Sequence, residues 1–188
     1  MLLTGNSTDA VLSEELRRVV DWDKDLPEYV FRSRGFKFLF FERPIIDNGD
    51  LLFDLISSNA QSYTTDAWVS FGSPHAAGYA QFYFDEVDLA PRVSTLQKDF
   101  RDFFGGSVDY PVLMTNKNLD WIAFESSHEE LGVLAVRSDG GRARKFIDRF
   151  KAGTFIACEQ MEAGTPAALQ LQGAYGRLIQ ILHKNYCF

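Results

Sequence analysis

The run Phe36-Lys37-Phe38-Leu39-Phe40-Phe41 constrains the fold more than any other feature of this chain. Side chains of a β-strand alternate between its two faces, so Phe36, Phe38 and Phe40 share one face while Leu39 and Phe41 occupy the other. Both faces are apolar, which predicts a central strand covered by packed layers on both sides. Phenylalanine totals 17 of the 188 residues, enough large rings to build a dense core without disulfides or metal ions.

The pattern around that strand is mixed. Leu12, Leu16 and Val19 fall on one helical stripe and predict an amphipathic helix from Thr8 to about Trp22. Tyr29 to Arg32 reads as a strand joined to Phe36–Phe41 through Arg34-Gly35. Asp47-Asn48-Gly49-Asp50 is a turn leading into a short helix over 51–58. Asp66 to Phe71 and Tyr79 to Asp85 alternate in polarity, with Gly72-Ser73-Pro74-His75 between them, and predict antiparallel strands. A helix is predicted from Pro91 or Ser94 to Gly105-Gly106. The clearest hairpin pairs Leu119 to Glu125 with Leu131 to Arg137, and its Ser126 to Glu130 loop is expected to be exposed and mobile. A basic helix over 141–151, a short strand over 154–158 and a long helix opened by Thr165-Pro166 complete the chain. Helices and hairpins interleave without a strand–helix–strand rhythm. The expectation is therefore one α+β domain over residues 1–188, a largely antiparallel sheet packed against several helices including a long C-terminal one.

Most templates for chemistry fail on spacing. His128-Glu129-Glu130-Leu131-Gly132 starts like a zinc-binding HExxH helix, but Gly132 stands where the second histidine belongs. Gly105-Gly106 and Gly140-Gly141 lack the frames that aim several backbone amides at a phosphate. No GxSxG elbow is present, and Asp47-Asn48-Gly49-Asp50 is not followed by the glutamate of a calcium loop. No cofactor and no metal are expected. Cys158 and Cys187 form neither a CxxC motif nor a disulfide framework, and are read as two free thiols of a reducing, cytoplasmic compartment. Cys158, following Phe155-Ile156-Ala157, is expected to be buried. No apolar run approaches the roughly 20 residues that cross a bilayer, and the first residues do not have the pattern of a secretory signal.

Charge is the remaining signal. The net charge is −7, and no Lys or Arg stands between Arg43 and Arg92, where seven acids fall: Asp47, Asp50, Asp54, Asp66, Asp85, Glu86 and Asp88. Residues 137–151 do the reverse, with Arg137, Arg142, Arg144, Lys145, Arg149 and Lys151 against Asp139 and Asp148. Complementary charge speeds encounter and aids partner choice. The expectation is a non-enzymatic protein-binding domain, such as an acidic immunity-type neutraliser of a basic, nuclease-like protein. Asp66, Trp68, Tyr79, Tyr83, Asp85, Glu86 and Asp88 are expected to form its binding surface, with Trp68, Tyr79 and Tyr83 on open strand faces. Overall acidity argues against nucleic acid, and no membrane partner is expected. The alternatives are a small cytosolic hydrolase-type enzyme with a site around His128 and Cys158, and a subunit that self-associates through its C-terminal helix.

Overall fold

In the computed structural model the elements in chain order are α1 (Ser7–Val19), β1 (Phe36–Phe41), α2 (Gly49–Tyr63), β2 (Ala67–Phe71), β3 (Ala80–Phe84), α3 (Leu89–Phe104), β4 (Val112–Asn116), β5 (Trp121–Glu125), β6 (Gly132–Arg137), α4 (Gly141–Ile147), β7 (Ile156–Ala157), α5 (Cys158–Met161) and α6 (Pro166–Tyr186). The structure describes residues 7–42, 44–47, 49–71, 80–84, 89–104, 111–129, 131–138, 140–162 and 166–188. Among them the strands form one sheet in the order β3-β2-β4-β5-β6-β1-β7, and every neighbouring pair is antiparallel. The α+β expectation holds.

Helices cover the sheet on both faces. One core cluster gathers Leu39, Phe41, Val69, Met114, Trp121 and Leu134 from the strands under Leu52, Leu55, Leu96, Phe100 and Phe146 of α2, α3 and α4. The other gathers Phe38, Phe40, Trp68, Leu113, Ile122 and Val133 under Leu12, Leu16, Met161, Ile179, Leu182 and Tyr186 of α1, α5 and α6. Alternate residues of one strand feed the two clusters, so the sheet is the middle of three layers. Each fully buried Leu or Phe side chain contributes roughly 1.5–3 kcal/mol relative to exposure, and both layers draw on that term.

Several sequence expectations need correction. β1 is covered on both faces as its pattern requires, yet it is not central: it lies between β6 and the two-residue β7. Tyr29 to Arg32 makes no strand and contributes the isolated bridge Val20↔Phe31. β4, which periodicity did not reveal, runs between β2 and β5. All five of its residues are buried, so it shows no polar alternation to read. α2 continues past residue 58 to Tyr63, and α4 stops at Ile147. The two cysteines are not free. Cys158 and Cys187 are joined in a disulfide, with their Cα atoms 5.5 Å apart, because α6 returns its end to the start of α5. The reading of a reducing compartment rested on free thiols and loses that ground.

A buried polar knot fixes α2 to the sheet. Asn59 is fully buried. Its Oδ1 accepts from Asn116 Nδ2 at 3.0 Å and from Trp121 Nε1 at 2.9 Å, and its Nδ2 donates to the Thr65 carbonyl at 2.5 Å. Asn116 Nδ2 also donates to Asp120 Oδ2, and its Oδ1 accepts the Asp120 N–H, both at 3.0 Å. Satisfied networks of this kind specify one packing, since each partner left alone would pay its desolvation.

Candidate functional site

Strands β1, β5 and β6 end together, because Phe41 and Glu125 both face Gly132 across their ladders. That shared end opens into a cavity of about 370 Å³ lined by Glu42, Pro44, Ile46, Asp47, Phe100, Glu125, Ser126, Ser127, His128, Glu129 and Leu131. Ile46, Phe100 and Leu131 are buried and form an apolar floor. Glu42, Asp47, Glu125 and Glu129 bring four carboxyl groups to the lining, and among the described residues no Lys or Arg joins them.

Glu125 is the most constrained of the four. Its Oε2 accepts the backbone N–H of Ile45 at 2.6 Å, which ties the end of β5 to the chain leaving β1. Burial raises its carboxyl to about 7; the Ile45 N–H opposes that rise and the charge of Asp47 adds to it. This group therefore changes charge near neutral pH, which its sequence neighbourhood does not disclose.

The Ser126 to Glu129 side of the cavity is held, not loose. Asp25 Oδ2 accepts from Ser126 Oγ at 3.0 Å, from Ser127 Oγ at 3.0 Å and from the Ser127 N–H at 3.2 Å. Ser126 Oγ in turn accepts the N–H groups of His128 and Glu129 at 3.1 and 2.9 Å. Ser126 is buried, so the loop expected to be exposed throughout is corrected here to a turn hydrogen-bonded to a distant segment. His128 alone of this set is exposed.

The residues proposed from sequence for partner contact separate in three ways. Asp66 is exposed just before β2, as a contact residue requires. Trp68 is not on an open face: it is 1% exposed and belongs to the cluster under α1 and α6. The alternation of β2 was read correctly, but the second helical layer covers the side judged open. Tyr83 is half-buried against that same cluster, and its carbonyl accepts a hydrogen bond from Arg92. Tyr79, Asp85, Glu86 and Asp88 lie outside the described residues. Asp47 and Asp66 flank α2, whose 15 residues span about 22 Å at 1.5 Å per residue, so the described acids do not form one cluster.

His128 and Cys158 are not brought together in one cavity. His128 lines the acidic one, whereas Cys158 lines another with Cys187, His183 and Phe188. With Cys158 in a disulfide, no thiol stands ready for nucleophilic attack. Among the described residues no group of three His, Cys, Asp or Glu side chains is placed to hold a metal ion, and no helix is long and apolar enough to cross a membrane. Comparison with protein-family models, with curated proteins and with solved structures found no match to this chain.

Proposed function

We propose that this chain is a protein-binding domain for a basic partner, and that the acidic cavity receives a cationic side chain of that partner. The observation behind this reading is the pairing of four carboxyl groups, Glu42, Asp47, Glu125 and Glu129, with an apolar floor of Ile46, Phe100 and Leu131. Lys and Arg have the same two-part character, an aliphatic stem and a charged head. The absence of Lys and Arg between Arg43 and Arg92 supports the reading along the chain. Asp66 is kept as a second proposed contact apart from the cavity, and Tyr79, Tyr83, Asp85, Glu86 and Asp88 as contacts proposed from the sequence alone; Trp68 is not kept. A basic, nuclease-like partner fits this charge logic, with this chain as an immunity-type neutraliser that offers acid where the partner would bind phosphate.

The test uses a basic probe first and the natural partner second. A peptide of alternating Arg and Ala titrated into isotope-labelled protein should shift the signals of Glu42, Asp47, Glu125 and Glu129. A partner recovered by affinity capture should then bind Glu42→Lys, Asp47→Lys protein with a slower on-rate and a weaker salt dependence, because exposed charges act mainly on encounter. A folded double variant with an unchanged on-rate and salt slope would sink the reading.

A second reading, acid–base catalysis at Glu125, is favoured by its titration near 7. It gains no support from a nucleophile, since Cys158 is paired. Activity towards any hydrolase substrate that disappears in Glu125→Gln protein would bring it forward.

A further inference from the structure

β1 meets β7 at two positions, Leu39↔Ala157 and Phe40↔Ile156. The hydrogen-bonding sides of β1 follow from its inner neighbour. The Ser138 N–H donates to the Gly35 carbonyl at 3.2 Å, one step before the pair Phe36↔Arg137. Backbone groups alternate sides along an antiparallel strand. Lys37, Leu39 and Phe41 therefore point to β6, while Phe36, Phe38 and Phe40 point to the outer edge where β7 lies.

β7 runs straight into α5, whose first residue is Cys158, and the disulfide ties that residue to Cys187, one position beyond α6. The two arms differ in what else holds them. At the end of α6, Asn185 Nδ2 donates to the Pro27 carbonyl at 2.8 Å. The Tyr186 hydroxyl donates to the Glu28 carbonyl at 2.6 Å and accepts the Val30 N–H at 3.1 Å, with its ring buried. β7 is a two-residue edge strand with both side chains partly exposed. Cys158 and Cys187 are partly exposed and line a cavity of about 350 Å³ with Lys37, Glu159, His183 and Phe188, so the S–S bond is open to a thiol from solvent.

We propose that the Cys158–Cys187 disulfide is a redox latch: closed, it pins β7 to the edge of β1; opened, it frees β7 while α5, anchored by buried Met161, and the end of α6 stay docked. The reductant is a dithiol. One of its thiolates attacks a sulfur of the pair, the S–S bond breaks, and the other cysteine departs as a thiolate from the mixed disulfide. The second thiol of the reductant then displaces the remaining cysteine. Two electrons pass from dithiol to disulfide, both cysteines end as thiols with the two protons the dithiol gives up, and the reductant leaves as its own disulfide.

Hydrogen exchange on the full chain, oxidised and after reduction with dithiothreitol, tests the latch, with thiols counted by mass after alkylation. Reduction should speed exchange at least tenfold at Phe40 and Ile156, whose amides face each other. Lys37, Leu39 and Phe41, facing β6, and Ile179, Leu182 and Tyr186 in α6 should keep their protection. Cys158→Ser and Cys187→Ser proteins should each show the reduced pattern with or without dithiothreitol. Equal protection in the two redox states overturns the proposal. So does a rise shared by all these amides, which marks loss of the whole fold, or a count of two free thiols in protein equilibrated with oxidised glutathione.

Discussion

Glu125 and Ile45, 80 residues apart in sequence, are joined by a 2.6 Å hydrogen bond from the Ile45 N–H to the Glu125 carboxyl. The contact holds Glu125 beside the acidic cavity, where burial of its carboxyl makes stability depend on pH. Glu125 titrates at about 7 in the fold against an ordinary 4.5. Between those values the folded state holds a proton that the unfolded chain releases, so the stability linked to protonated Glu125 is complete below about pH 4.5 and falls as pH rises to 7. Glu125→Gln protein lacks this slope. Urea unfolding at pH 5 and pH 8 should show the variant gaining about 1–3 kcal/mol on the wild type at the higher pH.

The clamp on the β5–β6 turn rests on Asp25. Asp25→Ala strips acceptors from Ser126 and Ser127 and should cost about 1–3 kcal/mol. Amide exchange at Ser127, His128 and Glu129 should quicken while β5 and β6 stay protected. Unchanged exchange at those three residues would show that the turn holds itself without the aspartate.

Asn59 offers a sharper stability test. Asn59→Ala leaves Trp121 Nε1 without an acceptor, removes one from Asn116 and frees the Thr65 carbonyl, all in or beside the core. A loss of about 3 kcal/mol is expected by denaturant unfolding, more than the side chain's size would imply, since buried groups left unpaired keep their full desolvation cost.

Gly132 is required by close approach. A Cβ there would sit 2.0 Å from Phe41 Cζ, inside a fully packed layer. Gly132→Ala should cost about 1–3 kcal/mol by forcing the ring aside. Phe41→Leu in the same chain should recover part of that loss, and a strictly additive double mutant would argue against the clash.

Much of the architecture could be read from residues alone. The β5–β6 hairpin follows from two apolar runs around a polar loop, and the β2–β3 pair from alternation interrupted by Gly72-Ser73-Pro74-His75. Both are antiparallel neighbours in the sheet. β4 escaped because burial on both faces erases the alternation that marks a strand. Trp68 was misplaced for a related reason. A pattern tells which residues share a face, but whether that face meets water depends on α1 and α6, elements remote from β2 in the chain.

The sequence by itself determined the α+β class, the double-sided burial of Phe38–Phe41 and the separation of acidic from basic segments, because each depends on near neighbours and on residue type. Tertiary structure alone decided that Glu42, Asp47, Glu125 and Glu129 share one cavity, that Asp25 holds Ser126, and that Cys158 meets Cys187. These are contacts between segments brought together by sheet order and by the return of α6. Local spacing pairs strands only within a hairpin; between distant segments, closing a long loop costs free energy that rises only slowly with its length, so packing selects the pairing.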